Sequence, residues 1–312
     1  MADKKATRHG FYDGLVNLAR KHHDIYAVDA DLGSATGSAI FQKEFPDRYI
    51  DVGIAEQNLV GISAGLARVG LVPFCSSMAV FVAGRGFEII RNAVAYSRIN
   101  VKIVGSHTGI TAAGDGGSHQ AIADMAAMRA IPNMVVLSPC DYFQAAKMAE
   151  LMYAHQGPMY IRTSREPVEA VTSLDDEIVL GKAQQLCDGK DVCIIATGMM
   201  TVLAIEAAKA LHEEGIEAKV VNIHTIKPLD AIGIKEAVLS CKGRVVVCEE
   251  ANMFGGLSEG VASILIEEDG IRFAWVAIED RFGQSGATSV LLGAYGITKE
   301  NIVRKAWSVI QR

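Results

Sequence analysis

The segment SHTGITAAGDGGSHQ, residues 106–120, sets His107, Asp115 and His119 among four glycines. A neutral imidazole both donates and accepts a hydrogen bond, and a carboxylate accepts from hydroxyl groups. Their spacing matches no standard zinc pattern, so a loop for a polar substrate explains the set better than a metal centre. In DVGIAEQNLVGISAGLARVG (51–70) a strand leads into a helix whose first turn carries Glu56. Taken alone, that carboxylate reads as a helix-dipole or capping contact. Gly61, Ser63, Ala64 and Gly65 on the same helix allow another element to pack closely. YIRTSRE (160–166) ends a strand on Ser164 and Arg165, an arginine that is either solvated or offers a fork of donors to an anion.

Two phosphate-cradle signatures are incomplete. Gly114-Asp115-Gly116 spells the opening of the diphosphate-and-metal motif of thiamine-diphosphate enzymes, which needs an asparagine roughly 25–30 residues on to complete the metal shell. The next asparagine, Asn133, comes 17 residues after Gly116 and follows a proline. GGLSEG (255–260) opens a helix without the G-x-G-x-x-G spacing of a dinucleotide site.

Short β-branched runs alternate with helical patterns from end to end. Strands are expected at 25–30, 49–53, 71–75, 101–106, 134–139 and 159–163, with helices at 55–69, 80–97, 119–130 and 141–154. A polar, acidic stretch follows over 164–190. The alternation then restarts with strands 191–198, 218–225, 244–250 and 273–278 and helices near 199–214, 230–240, 256–268, 286–294 and 298–310. Almost wholly apolar strands separated by helices imply parallel sheets covered on both faces, here in two α/β domains. Loops at the carboxyl ends of such strands are where α/β folds place ligands.

Of the 312 residues 50% are hydrophobic and 21% charged, enough to bury two cores and too apolar for a disordered chain. A net charge of −6 argues against a nucleic-acid partner. MADKKATRHG has no apolar signal core, and the longest uncharged stretch, 69–84, is broken by Pro73, Ser76 and Ser77. A soluble cytoplasmic protein without a membrane partner is expected. The cysteines at 75, 140, 187, 193, 241 and 248 form no C-x-x-C pair and read as reduced core thiols.

In this order, FPDRYIDVGIAEQN, GDGGSHQ, PNMVVLSPCD, TIKPLD (225–230) and SGATSVLLGAYGIT (285–298) resemble the pyrimidine-binding and C-terminal domains of the transketolase family. The resemblance runs over nearly the whole chain. It implies two parallel-sheet α/β domains: a pyrimidine-binding domain over 1–165, a linker over 166–190 and a transketolase C-terminal domain over 191–312. The diphosphate-binding domain that the family carries upstream is missing here, so the resemblance implies the C-terminal subunit of a split transketolase. Thiamine diphosphate is then the cofactor, with Mg²⁺ (or Ca²⁺) bound by an N-terminal partner subunit in an α₂β₂ heterotetramer. The reaction implied is transfer of a two-carbon ketol unit from a ketose phosphate to an aldose phosphate.

Residue by residue, Glu56 matches the family's glutamate at the pyrimidine N1′, which helps the cofactor lose its C2 proton. Phe81, in PFCSSMAVFVAGRG, matches an aromatic ring that stacks on the pyrimidine. Met78 and Gly84 stand where the family has further aromatics, and Asp31 matches an aspartate near the cofactor. His107, Asp115 and His119 match substrate residues, the two histidines also as proton carriers. Ser164 and Arg165 match the pair that grips a terminal phosphate. Ala35 replaces a phosphate-binding serine, which leaves room for a non-phosphate anion or a contact through Ser34 or Thr36. The related β subunit of a 2-oxoacid dehydrogenase and a non-catalytic scaffold are the competing readings. GDGGSHQ favours transketolase over the first, and the retained set of candidate residues argues against the second.

Overall fold

The computed structural model describes residues 4–311. Its strands, in chain order, are β1 (Lys5–Ala6), β2 (Ile25–Asp29), β3 (Tyr49–Asp51), β4 (Val72–Met78), β5 (Lys102–Ser106), β6 (Val135–Leu137), β7 (Met159–Thr163), β8 (Pro167–Val168), β9 (Gln184–Cys187), β10 (Val192–Ala196), β11 (Ala218–Asn222), β12 (Thr225–Lys227), β13 (Arg244–Asn252) and β14 (Arg272–Ile278). They form a seven-stranded sheet of order β12-β6-β7-β5-β4-β2-β3, a five-stranded sheet of order β14-β13-β10-β11-β9 and a small β1-β8 pair. Both large sheets are parallel except at one edge, where β12 and β9 run antiparallel. The two parallel-sheet α/β units expected from the alternation are therefore present.

The strands are buried for the reason the sequence implies. Val192–Ala196 and Lys102–Ser106 are wholly buried, since helices cover both faces. Pro73 is tolerated inside β4 because its partner there is Tyr26 of β2 alone; pairing with β5 begins one residue later, at Phe74 and Lys102. The missing N–H thus falls outside the β4–β5 ladder.

Several elements depart from the expected pattern. A helix over Thr7–Ala19, with no counterpart in the expected element list, opens the chain. The expected helix 80–97 is broken near Gly86 into Ala79–Arg85, Phe87–Ile89 and a π-helical stretch Ile90–Tyr96, as suits a glycine-interrupted segment. Helix 119–130 begins only at Asp124, because Gln120 spans the preceding loop, donating to the Ile110, Ala113 and Gln284 carbonyls. The expected strand 218–225 ends at Asn222; Thr225–Lys227 leaves the second sheet and pairs with β6 at the edge of the first. The polar stretch 166–190 holds β8 and β9, which pair with β1 and β11. One apolar cluster, containing Val28, Cys75 and Ile103 of the first sheet and Ile195, Val221 and Val245 of the second, joins the halves into a continuous core.

Candidate functional site

Within the first sheet the chain passes from β2 to the edge strand β3 and then returns to β4 on the other side of β2. That reversal opens a crevice at the carboxyl ends of β2 and β4. Every site residue singled out from the sequence follows the carboxyl end of a parallel strand here. Asp31 follows β2, Glu56 follows β3, Met78 ends β4 and Phe81 follows it, while His107, Asp115 and His119 follow β5 and Ser164 and Arg165 follow β7. Residues as far apart as 31 and 165 thereby share one edge of one sheet.

Glu56 begins the helix Glu56–Arg68 and is 2% exposed. Its oxygens face away from capping duty: Ser77 Oγ donates to Oε1 at 3.5 Å and Arg85 Nη1 to Oε2 at 3.2 Å. Arg85, whose side chain is 57% exposed, also lies over the Phe81 ring, 4.7 Å from its centroid. The other side of this group is His119, edge-on to Phe81 at 5.2 Å and held by Ser118 Oγ at its Nδ1. Met78 is buried, whereas Asp31 is exposed with a positive φ, its N–H donated to Asp51 Oδ1 at 3.1 Å. The buried neighbour Asp29 folds this loop, accepting from Leu32 N–H, Thr36 Oγ and Ser38 Oγ. Arg85 carried no signal in the sequence beyond its place after Phe81.

His107 is buried with φ 60°, a left-handed conformation that a non-glycine residue adopts only when its surroundings impose it. Its Nδ1 lies 2.9 Å from Ser106 Oγ and its Nε2 3.4 Å from Arg8 Nη1. Since a guanidinium can only donate, Nε2 is the acceptor and the proton sits on Nδ1. Burial, with the charges of Arg8 and Arg165 adding to it, pushes the imidazole pKa down to about 4, so His107 is neutral at physiological pH. Arg8 itself donates to the Ala35 carbonyl, and its Nε is buried without an acceptor among the described residues. Burial and nearby Arg165 lower its pKa. Arg165 donates to Asp115 Oδ2 at 3.1 Å and to the Ala112 carbonyl at 3.0 Å. Ser164 is 7% exposed: its N–H donates to Thr7 Oγ1 and its Oγ to the Glu166 carbonyl, so it fixes the residue next to Arg8. Two neighbouring guanidiniums, one with an unused buried donor, make a site complementary to an anion. Nothing local in the sequence marks Arg8, whose partners are His107, 99 residues away, and Arg165.

A family model described as the pyrimidine-binding domain of transketolase matches residues 3–170, and one described as the transketolase C-terminal domain matches residues 181–302. This chain belongs to the transketolase family. It is 41% identical over 305 residues to a putative transketolase C-terminal section of Methanocaldococcus jannaschii, covering 96% of this chain and 95% of that one. It is equally 41% identical to the 6-deoxy-6-sulfo-D-fructose transketolase subunit SqwH of Clostridium sp. strain MSTE9, covering 98% of this chain and 94% of the relative. A solved structure titled "Split gene transketolase, inactive beta4 tetramer" superposes with a TM-score of 0.90 at 41% identity, covering 99% of both chains.

Transketolases depend on thiamine diphosphate, and the residues present fit one end of it. A buried carboxylate contacted by an exposed arginine and a distant hydroxyl can receive a ring N–H, and the same arginine lies over a half-buried phenyl ring. The diphosphate end has no equivalent fit. Asp115 is engaged by Arg165, and Asn133 donates to the Ala95 carbonyl, so the two do not complete a metal shell. Among the described residues no group of three His, Cys, Asp or Glu side chains is disposed to hold a metal. The helix opened by GGLSEG has its first N–H groups, those of Leu257 and Ser258, already bonded to Glu249. A cavity of about 270 Å³, lined by Val80, Ala83, Gly84, Gln120, Asp124 and Phe282 among others, includes Gly84 but none of Glu56, Phe81, His107, Asp115, His119 and Arg165. Among the described residues no helix is long and apolar enough to cross a membrane.

Proposed function

We propose that this chain is the C-terminal subunit of a thiamine-diphosphate-dependent transketolase that moves a two-carbon ketol unit between sugar phosphates or related anionic sugars. The observation that carries this reading is the placing of a buried acceptor (Glu56), an aromatic pair (Phe81, His119) and two converging cations (Arg8, Arg165) around a neutral His107 at one sheet edge. When bound, thiamine diphosphate supplies the carbon nucleophile of the reaction.

Glu56 would accept from the pyrimidine N1′, a bond that a buried carboxylate makes strongly, with the more exposed Arg85 giving way. Phe81 would stack on the ring, and buried Met78 would close the wall behind it. Exposed Asp31 would lie at the mouth of the crevice, near the cofactor. His107, with Nδ1 committed to Ser106, would offer Nε2 to a sugar hydroxyl once Arg8, which donates to it at 3.4 Å, turns to the anion; His119 would offer its other ring nitrogen in the same role. Asp115 would read a donor hydroxyl. Arg165 and Arg8 would hold the far anionic end of the sugar, with Ser164 steadying them from behind. Ala35, whose carbonyl touches Arg8, offers no hydroxyl there, and the name of the Clostridium relative specifies a sulfonated sugar. A sulfonate end is thus a substrate to test beside phosphate.

The diphosphate and its Mg²⁺ would be held by a separate N-terminal subunit in an α₂β₂ assembly. In support, the similar chain solved by itself is titled an inactive β₄ tetramer. The test is two-carbon transfer measured with this chain alone, and then with the diphosphate-domain subunit, Mg²⁺ and thiamine diphosphate. Activity only in the mixture is expected. Robust turnover by this chain alone, or none in the assembled mixture with any anionic ketose, would overturn the reading.

A further inference from the structure

Glu250 lies at the end of the second sheet, in β13, yet its carboxylate enters the loop that follows β5 of the first. Oε1 accepts the Thr111 N–H at 2.8 Å. Gly109, with φ 71°, passes so close that a β-carbon there would lie 2.2 Å from the carboxylate. Glu250 is 6% exposed and shares a small polar crevice with Thr108, Ser138, Arg162, Ser164 and Thr197. Arg162 donates to the Glu250 carbonyl while its fork is held by Asp124, so the charged surroundings of Glu250 are themselves buried and fixed. The same loop is gripped again farther along: Ser285 Oγ donates to the Gly114 carbonyl at 2.9 Å, and Gln120 spans to the Gln284 carbonyl. Thus the second half of the chain touches the loop at Thr111, Gly114 and Gln120, between and beside His107, Asp115 and His119.

We propose that Glu250 is a positioning residue: its carboxylate clamps the start of the 110–115 turn and so sets where His107 and Asp115 stand relative to a bound sugar. The inference rests on the proposed function for what the loop does, and on geometry alone for what holds it. The turn Ile110–Asp115 is a short 3₁₀ stretch interrupted at Ala113, whose φ is 57°. The bond at the Thr111 N–H, charge-assisted once the pH exceeds about 7, restricts it close to the point where the chain leaves His107. Burial pushes the Glu250 carboxyl up to about 7, against the opposing pull of the Thr111 donors and Arg162, as expected of an acceptor withdrawn from water.

The test compares Glu250→Ala and Glu250→Gln in the full chain assembled with its partner subunit. The glutamine keeps an acceptor oxygen at nearly the same place. Three quantities are read: amide hydrogen exchange of the peptide covering 107–117, KM for the sugar donor, and thiamine diphosphate affinity. For Glu250→Ala, exchange in that peptide should quicken about tenfold or more, and KM should rise roughly ten- to a hundredfold, the loss expected when a charged bond that fixes reacting groups is removed. Cofactor affinity should stay within about twofold, because Glu56 and Phe81 lie on other loops. Glu250→Gln should restore most of the exchange protection and the KM. Unchanged loop exchange in the alanine variant, a glutamine variant as damaged as the alanine one, or parallel loss of cofactor affinity would overturn the proposal. If the wild-type assembly shows no sugar transfer, the functional reading fails, and loop exchange in the subunit still decides whether Glu250 is the clamp.

Discussion

Gly109 and Gly53 offer a contrasting pair for measuring how tightly the second sheet holds the substrate loop. Both have positive φ, 71° and 73°, and Gly109 combines it with ψ −161°, so an alanine at either bears a backbone cost of about 1–3 kcal/mol. Their surroundings differ. At Gly53 an added β-carbon meets nothing within 4 Å, whereas at Gly109 it would lie 2.2 Å from Glu250 Cδ and Oε1 and 2.6 Å from Cγ. The chain must either absorb the overpacking, at about 1–3 kcal/mol, or swing the carboxylate away and forfeit a charge-assisted bond of about 1.5–3 kcal/mol. Gly109→Ala should therefore cost about 1–3 kcal/mol more than Gly53→Ala. An unfolding entropy of about 2.1 cal/mol/K per residue makes each kcal/mol worth roughly 1.5 °C for a chain of this size. Thermal melts should show Gly53→Ala lowered by about 2–5 °C and Gly109→Ala by about 3–9 °C. Combining Gly109→Ala with Glu250→Ala should give less than the sum of the two losses, since the clash and the clamp share one carboxylate. Simple additivity in the double variant, or a Gly109→Ala shift smaller than that of Gly53→Ala, would refute the contact.

Glu56→Gln should leave the fold intact and lower turnover of the assembled enzyme by roughly 10²–10⁴, the range for an acid/base group; near-normal activity sinks its assignment to N1′. Arg165→Ala should raise KM for phosphorylated donors far more than for hydroxypyruvate, which lacks the distal anion, and equal effects on both would place Arg165 in a purely structural role. His224, 2% exposed between β11 and β12, has its pKa pushed down to about 4 by burial. Unfolded, its imidazole titrates near 6.5, so its contribution is complete above that pH and is lost as pH falls toward 4. His107 acts with the same sign and Glu250 with the opposite one, so the effect is read as a difference between variants. Between pH 7.5 and 5.0, wild type should lose about 2 kcal/mol more stability than His224→Gln. Parallel pH profiles would show that His224 is not held neutral.

The alternation of apolar strands and helical periods was enough to read two parallel-sheet α/β units, because burial on both faces leaves a local signature in each strand. The motif residues were legible too: Glu56 at a helix start and the histidines of 106–120 stand out by type and position. Local periodicity failed where distant groups set the structure. Nothing within 218–225 shows that the chain changes sheets after Asn222, since that depends on an open edge at β6. Helix 119–130 starts late because Gln120 is drawn across to Ile110, Ala113 and Gln284.

The sequence by itself therefore determined the kind of chemistry present, an acid at a helix start, imidazoles in a glycine-rich loop and an arginine after a strand. Tertiary structure alone decided which of these groups meet. It placed Arg8 against His107, Arg85 on both Glu56 and Phe81, and Glu250 of the second sheet beneath the loop of the first. Those partners lie 99, 29 and 139 residues apart in two hydrogen bonds and an ion pair. Burial, charge and the shift of His107 to about 4 arise only when the chain closes those separations, because desolvation and Coulomb forces act through space and not along the backbone.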